Sequence, residues 1–492
     1  MSVLPGGLRV CVESVPQYGR GLAAVALTVA AGGDDDPAGR HGTAHLVEHL
    51  MFPRSGREGS ADPAGEGYAA LVAGAGGVCN AETHRDHTVF HTTVPAELLP
   101  DALAWEAGRL LGFAPTEDVI RTETDVIGEE IRGAGDAGRY WESALGALYP
   151  GSRDSFGTAA ELAGITAGEV EAFFRAHYTA PRMVLSVVGD VDPARVMAVV
   201  REVFGGVGVI GVAGEARVAE GIRAARVARV AGESRTAEQT HAAREIRAVG
   251  KIRTAEEARF AGEVRAAEEP RAAEQTRAAR EIRAAAQTRT ARETHTATEI
   301  RTVPLPAARP GVAVGHPLAD PVAERPAYLA QAVLAQVLGR SRLPVLARSV
   351  RDGHRLTSAT VTCGYHGQWL ASAAPDLTLA VLGRAPGTEV GAAVDIWRSV
   401  LRAVADGPLP EAEHRRAVNS LLVAWHRQAD SLPTRAVALG RDALLLPGSA
   451  GPDALPAELR RTTPAEVSAA ARALLEGPVT VTELAPQKGT VG

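Results

Sequence analysis

Between Arg217 and Pro306 the chain repeats itself: RVAEGIRAARVARVAGES, RTAEQTHAAREIRAVGKI, RTAEEARFAGEVRAAEEP, RAAEQTRAAREIRAAAQT and RTARETHTATEIRTVPLP are five copies of one eighteen-residue unit. Eighteen residues make five α-helical turns, so each copy would present the same faces if the stretch were helical. The copies offer Ala and one recurrent apolar position (Ala228 in the first copy, then the larger Ile246, Val264, Ile282 and Ile300), too little for a core-facing stripe. Gly250, Gly262 and Pro270 would interrupt a long helix. The stretch therefore cannot carry a core. It reads as a solvated low-complexity insert, and any folded structure must come from the segments that flank it. The expected domains are 1–210, an insert at 211–303, and 304–492.

Both flanks carry folding patterns. From Leu4 to about Gly206, strand-like runs (LAAVALTVAA, HTVFHTTV, MVLSVVGDV) alternate with helix-like ones (PAELLPDALAWEAGRLLGF, AGEVEAFFRAHY), the pattern of an α/β or α+β domain. The alternation returns after Pro304: strand GVAVGHPL, helix ERPAYLAQAVLAQVL, strands SATVTCGY and DLTLAVLG, then helices GAAVDIWRSVLRAVA and PEAEHRRAVNSLLVAWHRQ. A net charge of -6 argues against a general nucleic-acid binder, and the insert's balanced Arg and Glu do not supply the positive potential that phosphate binding needs. Three widely spaced cysteines suit neither a disulfide framework nor a Cys-based zinc site, which points to a reducing, cytoplasmic setting. No apolar run approaches the roughly 20 residues that span a bilayer.

The chemistry concentrates in HGTAHLVEHLMF, residues 41–52. If 42–52 is helical, His45 and His49 lie one turn apart on one face, where two imidazoles can converge on a single zinc ion. Pro53 would stop that helix. Glu48, beside His49, is placed to take a proton from a water that the metal acidifies. A third ligand is needed. The segment TEDVIRTETDVIGEEIRG (116–133) reads as a helix from Thr116 as N-cap to Gly133 as stop. Glu123 and Glu130, seven apart, share a face, whereas Glu129 is turned about 100° away. Glu130 is the expected ligand, and Glu123 the acid that hydrogen-bonds a ligating histidine.

His-x-x-Glu-His followed some eighty residues later by a Glu, with another Glu seven before it, resembles the pitrilysin and mitochondrial-processing-peptidase family of zinc metallopeptidases. NAETHRDHTVF (80–90) is similar to the family's edge strand beside the metal, LPGGLRV to its first strand, and 156–193 to the end of its first domain. The resemblance implies an α+β fold of two related domains, each a mainly antiparallel sheet covered by helices, facing each other as a clamshell. It implies one zinc ion on His45, His49 and Glu130, with Glu48 as general base and Glu123 as supporting acid. Asn80 and Ala81 would lie on the strand that receives an extended peptide. The few extra residues between His49 and Glu130, relative to the family, are expected in the Gly-rich loop 57–77. Complete family sites also carry an Arg and, seven residues on, a Tyr that hold the substrate carbonyl. Here Arg351 is present, but Ser358 stands at the Tyr position, and Tyr365, fourteen residues after Arg351, is expected on the following strand. The expected protein is a zinc endopeptidase subunit paired with a paralogous chain that lacks the metal motif and supplies the Arg/Tyr pair, or with a second copy of itself. The other readings are a non-catalytic subunit and an interaction protein that acts through the repeat.

Overall fold

The computed structural model of the chain describes residues 1–52, 68–133, 136–205, 299–339, 355–373, 375–407 and 409–486. The repeat up to residue 298, most of the loop 57–77, Pro53 and Arg351 lie outside the described residues. In chain order the first half comprises β1 (Ser2–Val3), β2 (Arg9–Ser14), α1 (Pro16–Gly19), β3 (Leu22–Val29), α2 (Thr43–Leu50), α3 (Tyr68–Gly74), β4 (Val78–Thr83), β5 (Thr88–Pro95), α4 (Leu99–Leu111), α5 (Glu117–Gly133), α6 (Asp136–Leu148), α7 (Ala159–Leu162), α8 (Ala167–His177), β6 (Met183–Gly189) and α9 (Pro193–Phe204). The second comprises β7 (Glu299–Arg301), β8 (Leu305–Ala307), β9 (Gly311–Leu318), α10 (Arg325–Gly339), β10 (Leu356–Cys363), β11 (Asp376–Arg384), α11 (Val390–Ala405), α12 (Glu411–Ala429), α13 (Leu432–Leu445), α14 (Leu455–Arg461), α15 (Pro464–Glu476) and β12 (Val479–Pro486).

The two halves are built on one plan. The first sheet runs β1-β2-β6-β3-β5-β4, with β2 and β6 parallel and β3 antiparallel to both β5 and β6. The second runs β7-β12-β9-β11-β10 with the same directions: β7 parallel to β12, and β9 antiparallel to β11 and β12. The expected α+β chain of two related, mainly antiparallel sheets is what forms. The strand β7 lies in the tail of the fifth repeat copy, where Ile300 sits opposite Thr480. The second sheet therefore begins inside the stretch whose composition reads as insert. Helices α8 and α15 occupy matching places and start alike, each with a reciprocal Thr/Glu cap (Thr166 with Glu169, Thr463 with Glu466).

The central strands are nearly continuous apolar runs because both of their faces are covered. All of β6 is buried, and only Leu22 of β3 is exposed. One face of the first sheet packs on its own helices, through Leu27, Phe90 and Leu185 against Leu46, Leu103 and Ile127. The opposite face is covered from the second half, where Leu432 and Ala436 of α13 sit on Ala24, Ala26, Val89 and Val188. The exchange is reciprocal. Trp141, Ala144 and Leu145 of α6 pack on Ala313, Leu377, Leu379 and Leu484 of the second sheet. Gly440 lets α13 lie close, since a Cβ there would run into the Thr28 hydroxyl.

Candidate metal centre

Helix α2 starts abruptly. Gly42 adopts a left-handed φ of 105° and packs against Leu162, which excludes a side chain on both counts. The Asp36 carboxylate accepts hydrogen bonds from the backbone N–H groups of Gly42 (2.7 Å) and Ala44 (2.8 Å), a negative charge at the positive end of the helix. Burial raises the Asp36 pKa to about 6 against the opposing pull of those two donors. The helix ends at Leu50.

His45 and His49 face one another edge to face, with ring centroids 4.9 Å apart. The Nε2 atoms of both lie 3.5 Å from Glu130 Oε2, which α5 delivers. The three donor atoms fall within 4.8 Å of one another. The far side of each imidazole is occupied: His45 Nδ1 lies 3.4 Å from the Phe156 carbonyl and His49 Nδ1 lies 3.3 Å from Glu123 Oε2. Both acceptors select the tautomer with hydrogen on Nδ1, leaving the Nε2 lone pairs directed at Glu130. Glu129 turns to solvent, paired with Arg132.

The donor set fits zinc. Ligand atoms about 2.1 Å from a tetrahedral ion lie about 3.4 Å from each other, close to the 3.5 Å that separates each histidine Nε2 from Glu130 Oε2. Electrostatics agree. Burial, reinforced by its neighbour His49, lowers the His45 pKa to about 4, so this ring is neutral and available as a ligand. Burial also works against charge on His49, but the Glu123 hydrogen bond and the charges of Glu48, Glu130 and Glu123 outweigh it and raise its pKa. A proton or a metal cation answers that same field. Burial raises the Glu48 pKa, opposed by a hydrogen bond that its Oε2 accepts from the Thr83 hydroxyl.

Thr83 ends β4, the outermost strand of its sheet, whose free side faces no strand among the described residues. Asn80, exposed, pairs with His91, and Ala81, half-buried, pairs with Phe90. The structure thus gathers His45, Glu48, His49, Glu123 and Glu130 at one place, with the Asn80–Ala81 strand reaching it through Thr83. Ser358 is exposed on β10, and Tyr365 is buried with its hydroxyl donating to Ser155 Oγ at 2.6 Å. Tyr365 lies not on the following strand but in an isolated bridge with Gln368 between β10 and β11, and it is committed to the packing between the halves. Sequence reasoning missed Asp36, Thr83 and Phe156. The first and last act across loops without periodicity, and Thr83 stood inside the 80–90 strand motif with no role of its own.

Two like α+β domains with a His/His/Glu donor set, the histidines on α2 and the glutamate on α5, define a zinc-protease-like chain. Residues 12–133 match the family described as insulinase (peptidase family M16), and residues 164–243 match the M16 inactive domain. These two stretches carry the match to M16, or insulinase, peptidase family domains, in line with the resemblance drawn from the motif. An uncharacterised zinc protease of Mycobacterium tuberculosis is 32% identical over 209 residues, 42% of this chain and 46% of that protein. The mitochondrial-processing peptidase subunit beta of Saccharomyces cerevisiae is 28% identical over 212 residues, 42% of this chain and 44% of its own. The match thus spans less than half the length of these relatives. Among solved structures, a protease from Helicobacter pylori superposes with a TM-score of 0.69 at 17% identity, over 99% of this chain and 98% of the other. The M16 inactive domain from Pseudomonas fluorescens gives 0.66 at 15%, over 99% and 97%. At these identities the likeness is one of fold.

Proposed function

We propose that the chain is a zinc endopeptidase subunit that hydrolyses short or unfolded peptides. The observation that carries this reading is the convergence of His45, His49 and Glu130 with Glu48 at the end of β4, the edge strand of its sheet among the described residues. Zinc, when bound by those three residues, supplies a Lewis acid that makes a water nucleophilic near neutral pH. The protein's own groups do the rest. Glu48 takes the proton of the attacking water and passes it to the departing amine, a task helped by burial that raises its pKa toward the working pH. Glu123 and the Phe156 carbonyl hold the two imidazoles in the metal-binding tautomer. An extended peptide adds along β4 at Asn80 and Ala81 through backbone hydrogen bonds, which brings its scissile bond beside Glu48.

Glu48→Gln tests the assignment. It retains zinc, because the ligands are untouched, and loses peptide hydrolysis by about two to four orders of magnitude. Parallel loss of zinc and activity would make Glu48 a ligand or a structural residue instead.

We also propose that the active form is a heterodimer with a paralogous chain that supplies the Arg/Tyr pair, since Ser358 carries no phenol and Tyr365 is held by Ser155. The chain purified alone is then nearly inactive; full activity alone, undiminished in Ser358→Ala, would refute the partner. All three cysteines are free, which supports work in a reducing compartment such as the cytoplasm.

A further inference from the structure

We propose that the buried Glu106–Arg109 pair of α4 is the positioning element of the metal helix, a role that rests on reading His45, His49 and Glu130 as the zinc site. Helix α2 has eight residues, well below the length at which a helix holds itself in water, so its surroundings determine where its histidines stand. Its two ends meet opposite charges in the favourable sense. Asp36 holds the N-terminal N–H groups, and Arg109 Nη1 donates to the Met51 carbonyl (3.4 Å), two residues past His49.

Arg109 is in turn wholly engaged. Its Nη2 bonds both Glu106 carboxylate oxygens at 2.6 Å, and its Nε bonds Oε1 at 3.1 Å. The Tyr68 hydroxyl donates to Glu106 Oε2 (3.0 Å) and lies 2.7 Å from Thr92 Oγ1. The guanidinium carbon stands 5.1, 4.3 and 4.6 Å from the ring centroids of Phe52, Tyr68 and Phe90. Arg109 and Glu106 are 4% and 2% exposed. Apolar replacement of such a pair is often neutral for stability, so stability alone does not account for it. Geometry does. Phe90 is the cross-strand partner of Ala81, so one guanidinium ties the end of α2 to the strand that carries β4 and sets the separation of His49 and Glu48 from β4.

The test compares the parent with Glu106→Leu/Arg109→Met, which removes both charges together, and with Arg109→Lys, which keeps the charge and loses the fork. Zinc affinity is measured by competition with a chromophoric chelator, and amide hydrogen exchange is followed in the metal-free proteins. The double variant is expected to melt within a few degrees of the parent, to bind zinc about ten- to a hundredfold more weakly, and to exchange faster at residues 43–52 but not in β3 or β6. Arg109→Lys is expected to shift both readouts in the same direction by less. Folded variants with parental zinc affinity and parental exchange in α2 would overturn the proposal; if the double variant does not fold, Arg109→Lys decides it by the same two readouts. Should the parent itself bind no zinc, the metal reading fails, and the exchange of α2 in the metal-free proteins still decides the role of the pair.

Discussion

Raising the pH should loosen the metal centre from behind, through His41. This imidazole's Nε2 lies 3.1 Å from the Asp154 carbonyl and 3.3 Å from Asp154 Oδ1, with side chains 12% and 20% exposed. Burial by itself would lower the His41 pKa, but hydrogen bonding to Asp154 and its charge carry it up to about 9. A rise from 6.5 to about 9 corresponds to about 3 kcal/mol at full strength, or about 2 kcal/mol allowing for the solvent that still reaches the pair. Because the folded pKa is the higher one, this contribution is fully present below pH 6.5 and is lost as the pH rises through about 9. Asp154 Oδ1 also accepts from the N–H groups of Phe156 (2.7 Å) and Gly157 (2.9 Å), and the Phe156 carbonyl is the partner of His45. Deprotonating His41 thus weakens the loop that orients His45, a proposed zinc ligand. Urea unfolding of the parent and His41→Gln near pH 6 and above pH 9 isolates the effect. The parent should lose about 2 kcal/mol more than the variant across that interval. Equal pH dependence in the two proteins would refute the reasoning.

Glu123→Gln should weaken zinc binding about ten- to a hundredfold in chelator competition while leaving thermal unfolding little changed. Zinc must displace a proton from His49, whose pKa the neighbouring carboxylates raise, so affinity falls as the pH falls. In Glu123→Gln the onset of that loss moves to lower pH. Gly440→Leu, which drives a side chain into the Thr28 and Ser186 hydroxyls, should destabilise the fold by about 1 to 3 kcal/mol, read as a lowered melting temperature, because it pushes α13 off the first sheet.

The candidate metal centre is legible in the sequence because most of it is local. His45, Glu48 and His49 share five residues, and helical geometry alone turns both imidazoles the same way. The spacing of Glu123 and Glu130 likewise placed both on the face of α5 that meets α2, with Glu129 directed to solvent. The apolar runs of β3, β6, β9 and β11 marked those strands because burial on both faces leaves an unbroken apolar stretch that is visible locally.

Tertiary structure alone decided the contacts that no period encodes: that Asp36 caps α2 from six residues away, that the Phe156 carbonyl fixes the His45 tautomer, and that the hydroxyl of Tyr365 is taken by Ser155. It also decided that α6 and α13 cross to the opposite sheet, and that Glu299–Arg301, in a repeat poor in apolar residues, pairs as a strand. Chain geometry determines which side chains of one element point together. Which elements then meet depends on faces hundreds of residues apart burying one another, and no stretch of the sequence read by itself contains both partners.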